Sequence, residues 1–100
     1  MAKYTVKLMS RALRDLDQIY GYISNTLQEP NSAEAVASDL EAAIFSLEEM
    51  PYRYPERRKG AYAYKGYRQM VVRNYIVLYR INDAKKQVLI VTVRYSKSSF

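Results

Sequence analysis

Apolar and polar residues alternate in KYTVKLM (residues 3–9). Tyr4, Val6 and Leu8 fall on one side, Thr5 and Lys7 on the other. A period of two marks a strand. From Leu13 the period lengthens. Leu13, Leu16, Tyr20, Ile23 and Leu27 recur at alternating steps of three and four, one apolar stripe along a helix. Ser10 stands where an N-cap is expected, its hydroxyl free to accept from a first-turn amide. QEPNS then interrupts: Pro30 cannot continue a helix, and Asn31 or Ser32 can cap the next. A second stripe, Val36, Leu40, Ala43, Leu47 and Met50, predicts a helix running to about Met50, where Pro51 stops it. The short linker predicts an antiparallel helical hairpin.

MPYRYPERRKGAYA (residues 50–63) carries two prolines and a glycine and reads as a long loop, of a size that is often functional. Period-two patterning returns after it and places strands near 65–73, 74–82 and 87–95. NDAKK (82–86) is the tight turn between the last two. The expected fold is therefore α+β, one domain over residues 1–100. A two-helix antiparallel hairpin packs on one face of a mainly antiparallel sheet of about four strands, in the order β-α-α-β-β-β.

Parity sorts the sheet. Tyr75, Val77, Tyr79 and Ile81 share a face, joined by Leu89, Val91 and Val93, and the helices cover it. The opposite face holds Ile76, Leu78, Arg80, Thr92 and Arg94, extended by Arg68, Met70 and Val72. This second face is half apolar and half cationic. Arg73 falls at the junction of two strands, able to swing to a sheet edge.

Charge sharpens that picture. The chain carries a net +6, but residues 1–50 hold four basic and eight acidic side chains, while residues 51–100 hold twelve and two. Such a split suits a surface that meets a polyanion or an acidic partner, or a plainly solvated basic face. Arg57, Arg58 and Lys59 in the loop, with Lys65, Arg68, Arg73, Arg80 and Arg94, are interleaved with tyrosines. Guanidinium groups bind phosphates bidentately and tyrosines stack on bases, so a nucleic-acid or partner surface is one reading; ion pairs to helix carboxylates are the other. The tail RYSKSSF (94–100) offers a cation, a phenol, hydroxyls and an ammonium. Tyr20, Tyr75 and Tyr79 read as core residues. Asp15 and Asp17, two apart, lie on different helix faces and form no catalytic pair.

With no cysteine or histidine, the sequence offers no disulfide framework, no thiolate zinc site and no imidazole acid–base. No metal or cofactor is expected. No apolar run approaches the ~18 residues of a membrane span, and no signal peptide is evident, so a cytoplasmic protein is expected.

The chain as a whole resembles the RelE/ParE superfamily of toxins of type II toxin–antitoxin (plasmid stabilisation) systems. The likeness rests on SRALRDLDQIYGYI, the helical hairpin, LEEMPYRYP, and above all GYRQMVVRNYIVLYRIND followed by VLIVTVRY. It implies an antitoxin partner that wraps the toxin. RelE-like members cut mRNA on the ribosome, using arginines, lysines and a tyrosine, and some relatives add a histidine. The likeness therefore implies a metal-independent endoribonuclease in which Arg73 and Arg94 stabilise phosphate charge, with Lys65, Tyr95 or Lys97 moving protons. Arg57, Arg58, Lys59, Arg68 and Arg80 would bind nucleic acid or a partner. Where some relatives end in His-Tyr, this chain has Ser96 and Lys97. ParE-like members instead poison DNA gyrase without a nuclease site. They usually carry Arg-Arg after the last strand, where this chain has SKSS. The first expectation is mRNA cleavage. Gyrase inhibition and a non-toxic antitoxin-binding module are the alternatives.

Overall fold

The computed structural model describes residues 3–98 and Phe100. Ser99, one of the tail hydroxyls, lies outside the described residues. Strand β1 (Thr5–Leu8) leads into α1 (Ser10–Gly21), which continues as one π-helical stretch, Tyr22–Thr26. Helix α2 (Pro30–Phe45) follows, then short 3-10 turns at Ser46–Glu48 and Pro51–Arg53. Strands β2 (Arg68–Val72), β3 (Tyr75–Asn82) and β4 (Gln87–Tyr95) complete the chain. The sheet order is β1-β4-β3-β2, with β1 parallel to β4 and the other pairs antiparallel. The α+β architecture with a helical hairpin over one sheet face is as the patterning predicts. No helix among the described residues is long and apolar enough to cross a membrane.

The caps differ from expectation. Met9, not Ser10, is the boundary residue of α1, and no side chain caps it. Helix α2 starts on Pro30 itself, before Asn31 and Ser32. Proline suits the first helical position because its missing N–H would have no partner there.

The inward stripe of α1 is also rotated. Ala12 and Ile23 are buried and Leu16 and Ile19 half-buried, whereas Leu13 is 52% exposed and Tyr20 and Leu27 also face out. The cause is polar. Strand β1 ends opposite Ile90, so the edge of β4 beyond it lacks a strand neighbour. The Asp15 carboxylate fills that gap, accepting from the Val93 amide at 3.1 Å and from the Thr92 hydroxyl. Turning Asp15 inward carries Ala12, Leu16, Ile19 and Ile23 with it. Helix α2 ends at Phe45, short of the expected Met50: Val36 and Leu40 are buried in it, joined by Ala33 and Ile44, while Leu47 is buried from the following 3-10 turn and Met50 is exposed at φ +52°.

A bulge corrects the parity of β4. Leu78 pairs with Thr92 but Tyr79 pairs with Ile90, so Val91 is the extra residue. One inserted residue exchanges the two faces beyond it. Val88, Ile90 and Val93 therefore face the helices, in place of Leu89, Val91 and Val93. Met70 and Val72 lie opposite Val77 and Tyr75 and join the helix-covered core.

Tyr79 is fully buried and donates to the Pro51 carbonyl at 2.6 Å, tying the sheet to the end of the hairpin. Burial pushes its ionisation up from 10.0 to about 12. Between these values the unfolded chain loses a proton that the folded chain keeps, so stability falls as pH rises through that window. Tyr79→Phe should cost about 1 kcal/mol at neutral pH through the lost hydrogen bond. It should also reduce the alkaline loss, as read by denaturant melts across the same window. An alkaline slope identical to the parent's would assign that loss to other groups. In the β3–β4 turn, next to Tyr52, hydrogen bonds from the Tyr4 hydroxyl at 2.6 Å and from the Lys86 ammonium hold the Asp83 carboxyl below the usual carboxylate range.

Candidate functional site

A groove of about 980 Å³ runs between the helical hairpin and the far end of the sheet. Ile19, Ile23, Val36 and Val93 give it an apolar wall; Arg11, Arg73, Arg94 and Tyr95 also line it. Arg73 occupies the β2–β3 turn at φ +52°. That left-handed geometry is uncommon for a non-glycine residue. It lets the side chain reach α2, where Nε lies 2.7 Å from Asp39 Oδ2. Both partners are about half exposed, so the pair adds at most about 1 kcal/mol. Arg94 is half-buried; its Nε donates to Thr92 Oγ1 at 3.1 Å and its guanidinium stacks 5.0 Å from the Phe100 ring centre. The Tyr95 ring meets Tyr75 edge-on at 5.9 Å.

Three of the five residues expected to catalyse thus share one groove. Lys65 and Lys97 are exposed in turns and do not line it. Two of its residues were missed by the sequence reading. Arg11 approaches Asp15 at 4.0 Å, one helical turn away. Asp15 itself links α1, Thr92 and, through Thr92, Arg94. The i,i+4 spacing of Arg11 and Asp15 was the available signal for the first.

A second groove, of about 810 Å³, is lined by Arg57, Arg58, Lys59, Gln69, Ile76 and Ser96, among others. Arg57 is not a free cation. It is only 6% exposed, and its donors go to Ala61 O at 2.8 Å, Gln69 Oε1 at 3.2 Å and Phe100 O at 2.8 Å. The Phe100 ring lies 4.2 Å away. Arg68 pairs with Tyr79, which places it on the helix-facing side of the sheet and not on the open face. Its guanidinium donates to Tyr54 O at 2.6 Å and to Tyr52 O, and stacks on Tyr52. Arg58, Lys59 and Arg80 are exposed, and among the described residues none has a carboxylate within 4.0 Å. The described residues include no cluster of three His, Cys, Asp or Glu side chains able to hold a metal ion.

Comparison with known families returns one match. The model of the ParE toxin of type II toxin–antitoxin systems (parDE) matches residues 6–100. The chain belongs to this family. It is a ParE-type toxin, within the wider group that includes RelE. In fold it is similar to a chain of the chromosomal ParDE toxin–antitoxin system from P. aeruginosa, with a TM-score of 0.79 at 18% identity, covering 97% of this chain and 100% of that one. It is similar to a chain of the toxin–antitoxin complex RelBE2 from Mycobacterium tuberculosis, at 0.65 and 28% identity, covering 95% and 93%. The intact E. coli RelBE complex contains another such chain, at 0.62 and 16%, covering 95% and 99%. A comparison with curated protein sequences found no match. Two of these three neighbours were solved as toxin–antitoxin complexes, which supports an antitoxin protein as partner of this ParE-type toxin.

Proposed function

We propose that this ParE-type toxin arrests growth by binding a protein target, DNA gyrase, and is restrained by an antitoxin encoded with it. The observation that carries this reading is the state of the first groove. RNA cleavage without a metal needs a base for the 2′-hydroxyl and an acid for the leaving oxygen. The guanidiniums of Arg11, Arg73 and Arg94 keep their protons and serve as neither. Among the described residues, Asp15 is the one carboxylate lining the groove, and it already accepts from Thr92 and Val93. What remains is an apolar wall with arginines and the phenols of Tyr22, Tyr75 and Tyr95 beside it, the composition of a protein-binding groove, where Arg and Tyr are enriched.

A second reading, mRNA cleavage, is favoured by the convergence of Arg73, Arg94 and Tyr95 in that groove. Two assays separate them: supercoiling by purified gyrase with added toxin, and mapping of RNA 5′ ends after the toxin is induced in cells. Inhibited supercoiling with intact mRNA is expected. Arg94→Glu should then raise the toxin concentration needed by about tenfold or more, because a reversed charge is placed in the contact. Cuts within translated codons, with supercoiling unaffected, would replace the gyrase reading by the cleavage one.

A further inference from the structure

We infer that Phe100 is a positioning residue whose ring holds the Arg94 guanidinium in place at the first groove. Resting on the proposed reading, in which Arg94 meets the target, this adds a residue outside the groove that prepares one inside it. Phe100 itself does not line the groove.

Arg94 reaches the groove from β4 with little else to fix it. Its Nε donates to Thr92 Oγ1 at 3.1 Å, and the Thr92 oxygen can accept because its own proton goes to Asp15. Among the described residues no carboxylate lies within 4.0 Å of Arg94, and its Nη groups, which reach solvent, donate to none. One bond at Nε fixes a point and leaves the guanidinium plane free to turn. The Phe100 ring, with Arg94 Cζ over it at 5.0 Å from the ring centre, supplies the missing restraint. Contact with a ring face limits how the plane turns while its outer N–H groups stay open to a partner's carboxylate or carbonyl. A carboxylate in the place of the ring would also hold Arg94, but would occupy the donors and cancel the charge that a partner has to meet.

A positioning group must itself be fixed, and Phe100 is. The same ring lies 4.2 Å from the Arg57 guanidinium, and Arg57 Nη2 donates to the Phe100 carbonyl at 2.8 Å. Arg57 is buried and is held in turn by Ala61 O and Gln69 Oε1. A β-carbon at Gly60 would overlap the Phe100 carbonyl, so the main chain of Phe100 sits in a close-fitting seat. The row therefore runs from an immobile guanidinium through one ring to the guanidinium that faces the groove.

The test joins two measurements on the toxin free of antitoxin. Nitrogen-15 relaxation of the Arg94 Nε–H reads its order, and supercoiling by purified gyrase reads potency. Phe100→Leu keeps an apolar side chain without the ring, and Phe100→Tyr keeps the ring. The Arg94 order parameter should lie near the value of about 0.85 typical of rigid backbone in the parent and in Phe100→Tyr, and below about 0.6 in Phe100→Leu. Phe100→Leu should raise the toxin concentration needed for inhibition by about two- to tenfold, the usual worth of ordering one long side chain before binding. Phe100→Tyr should restore the parent potency. In an Arg94→Ala background the leucine substitution should have no further effect. Arg53, held by Glu49 O and Ser46 Oγ, is the internal reference and should keep its order throughout. Equal order at Arg94 in the parent and Phe100→Leu would overturn the inference. So would a loss of potency in Phe100→Leu that persists in full without Arg94, which would make the role of Phe100 structural. A parent toxin that leaves supercoiling intact would overturn the gyrase reading alone, and the order parameters would still decide whether Phe100 positions Arg94.

Discussion

Asp15→Ala should lower the folding free energy by about 3 kcal/mol, read as a fall in the denaturant midpoint at unchanged m-value. The expectation follows from where the carboxylate sits. Thr92 is fully buried and Val93 nearly so, and both give their protons to Asp15 Oδ2. Removing the acceptor strands two buried donors, each costing on the order of 1–3 kcal/mol. Replacement of both sides would be different in kind. Asp15→Leu with Thr92→Val removes one donor as well as the acceptor and should recover part of the loss. Asp15→Asn keeps an oxygen that can accept, so it should fall between parent and alanine variant. A stability within about 0.5 kcal/mol of the parent for Asp15→Ala would mean that apolar packing alone sets the rotation of α1.

That rotation marks the limit of what could be read from the sequence. The strands, the helical hairpin and their order follow from hydrophobic periods of two and 3.6, and the structure keeps them. The facing of α1 does not follow. Leu13, Tyr20 and Leu27 fit the period as well as Ala12, Leu16, Ile19 and Ile23, and a count of apolar residues favours the larger side chains. The choice was made by an unpaired strand edge elsewhere in the chain, which no local pattern reveals. The parity of β4 fails for a related reason. A bulge at Val91 leaves no signature among consecutive aliphatic residues. At the site, the sequence led to the expectation that Arg73, Arg94 and Tyr95 act together, and the three line one groove. It also counted Arg57 and Arg68 among the surface cations, because charge alone does not show which guanidiniums are already occupied by main-chain carbonyls.

The first groove, between the hairpin and the sheet end, joins apolar area to arginines and suits a folded or folding protein partner, whose affinity there comes mainly from burial.

Arg57→Ala should cost about 3 kcal/mol and release the loop between Tyr54 and Tyr67 together with the tail. This guanidinium donates three hydrogen bonds, to a loop carbonyl, to the Gln69 side-chain oxygen on β2 and to the Phe100 carbonyl. Hydrogen bonds to a charged group contribute about 1.5–3 kcal/mol each, partly offset by the cost of burying the cation. The Phe100 ring stacked on it adds about 1 kcal/mol. Backbone geometry enforces the same arrangement. Gly60 has φ +64°, and a β-carbon there would stand 2.1 Å from the Phe100 carbonyl oxygen, so the tail passes where only glycine allows it. The loss should be local before it is global. Amide exchange should accelerate at Arg57 and Tyr64, whose amides bond the Tyr67 and Arg57 carbonyls, while the β3–β4 pairing keeps its protection. Arg57→Lys should not restore it, because one ammonium cannot reach three acceptors in the planar fork and does not stack as a guanidinium does. Equal exchange in parent and alanine variant would show that the loop is held by Tyr62 against Tyr67 instead, and Tyr62→Ala would then carry the effect.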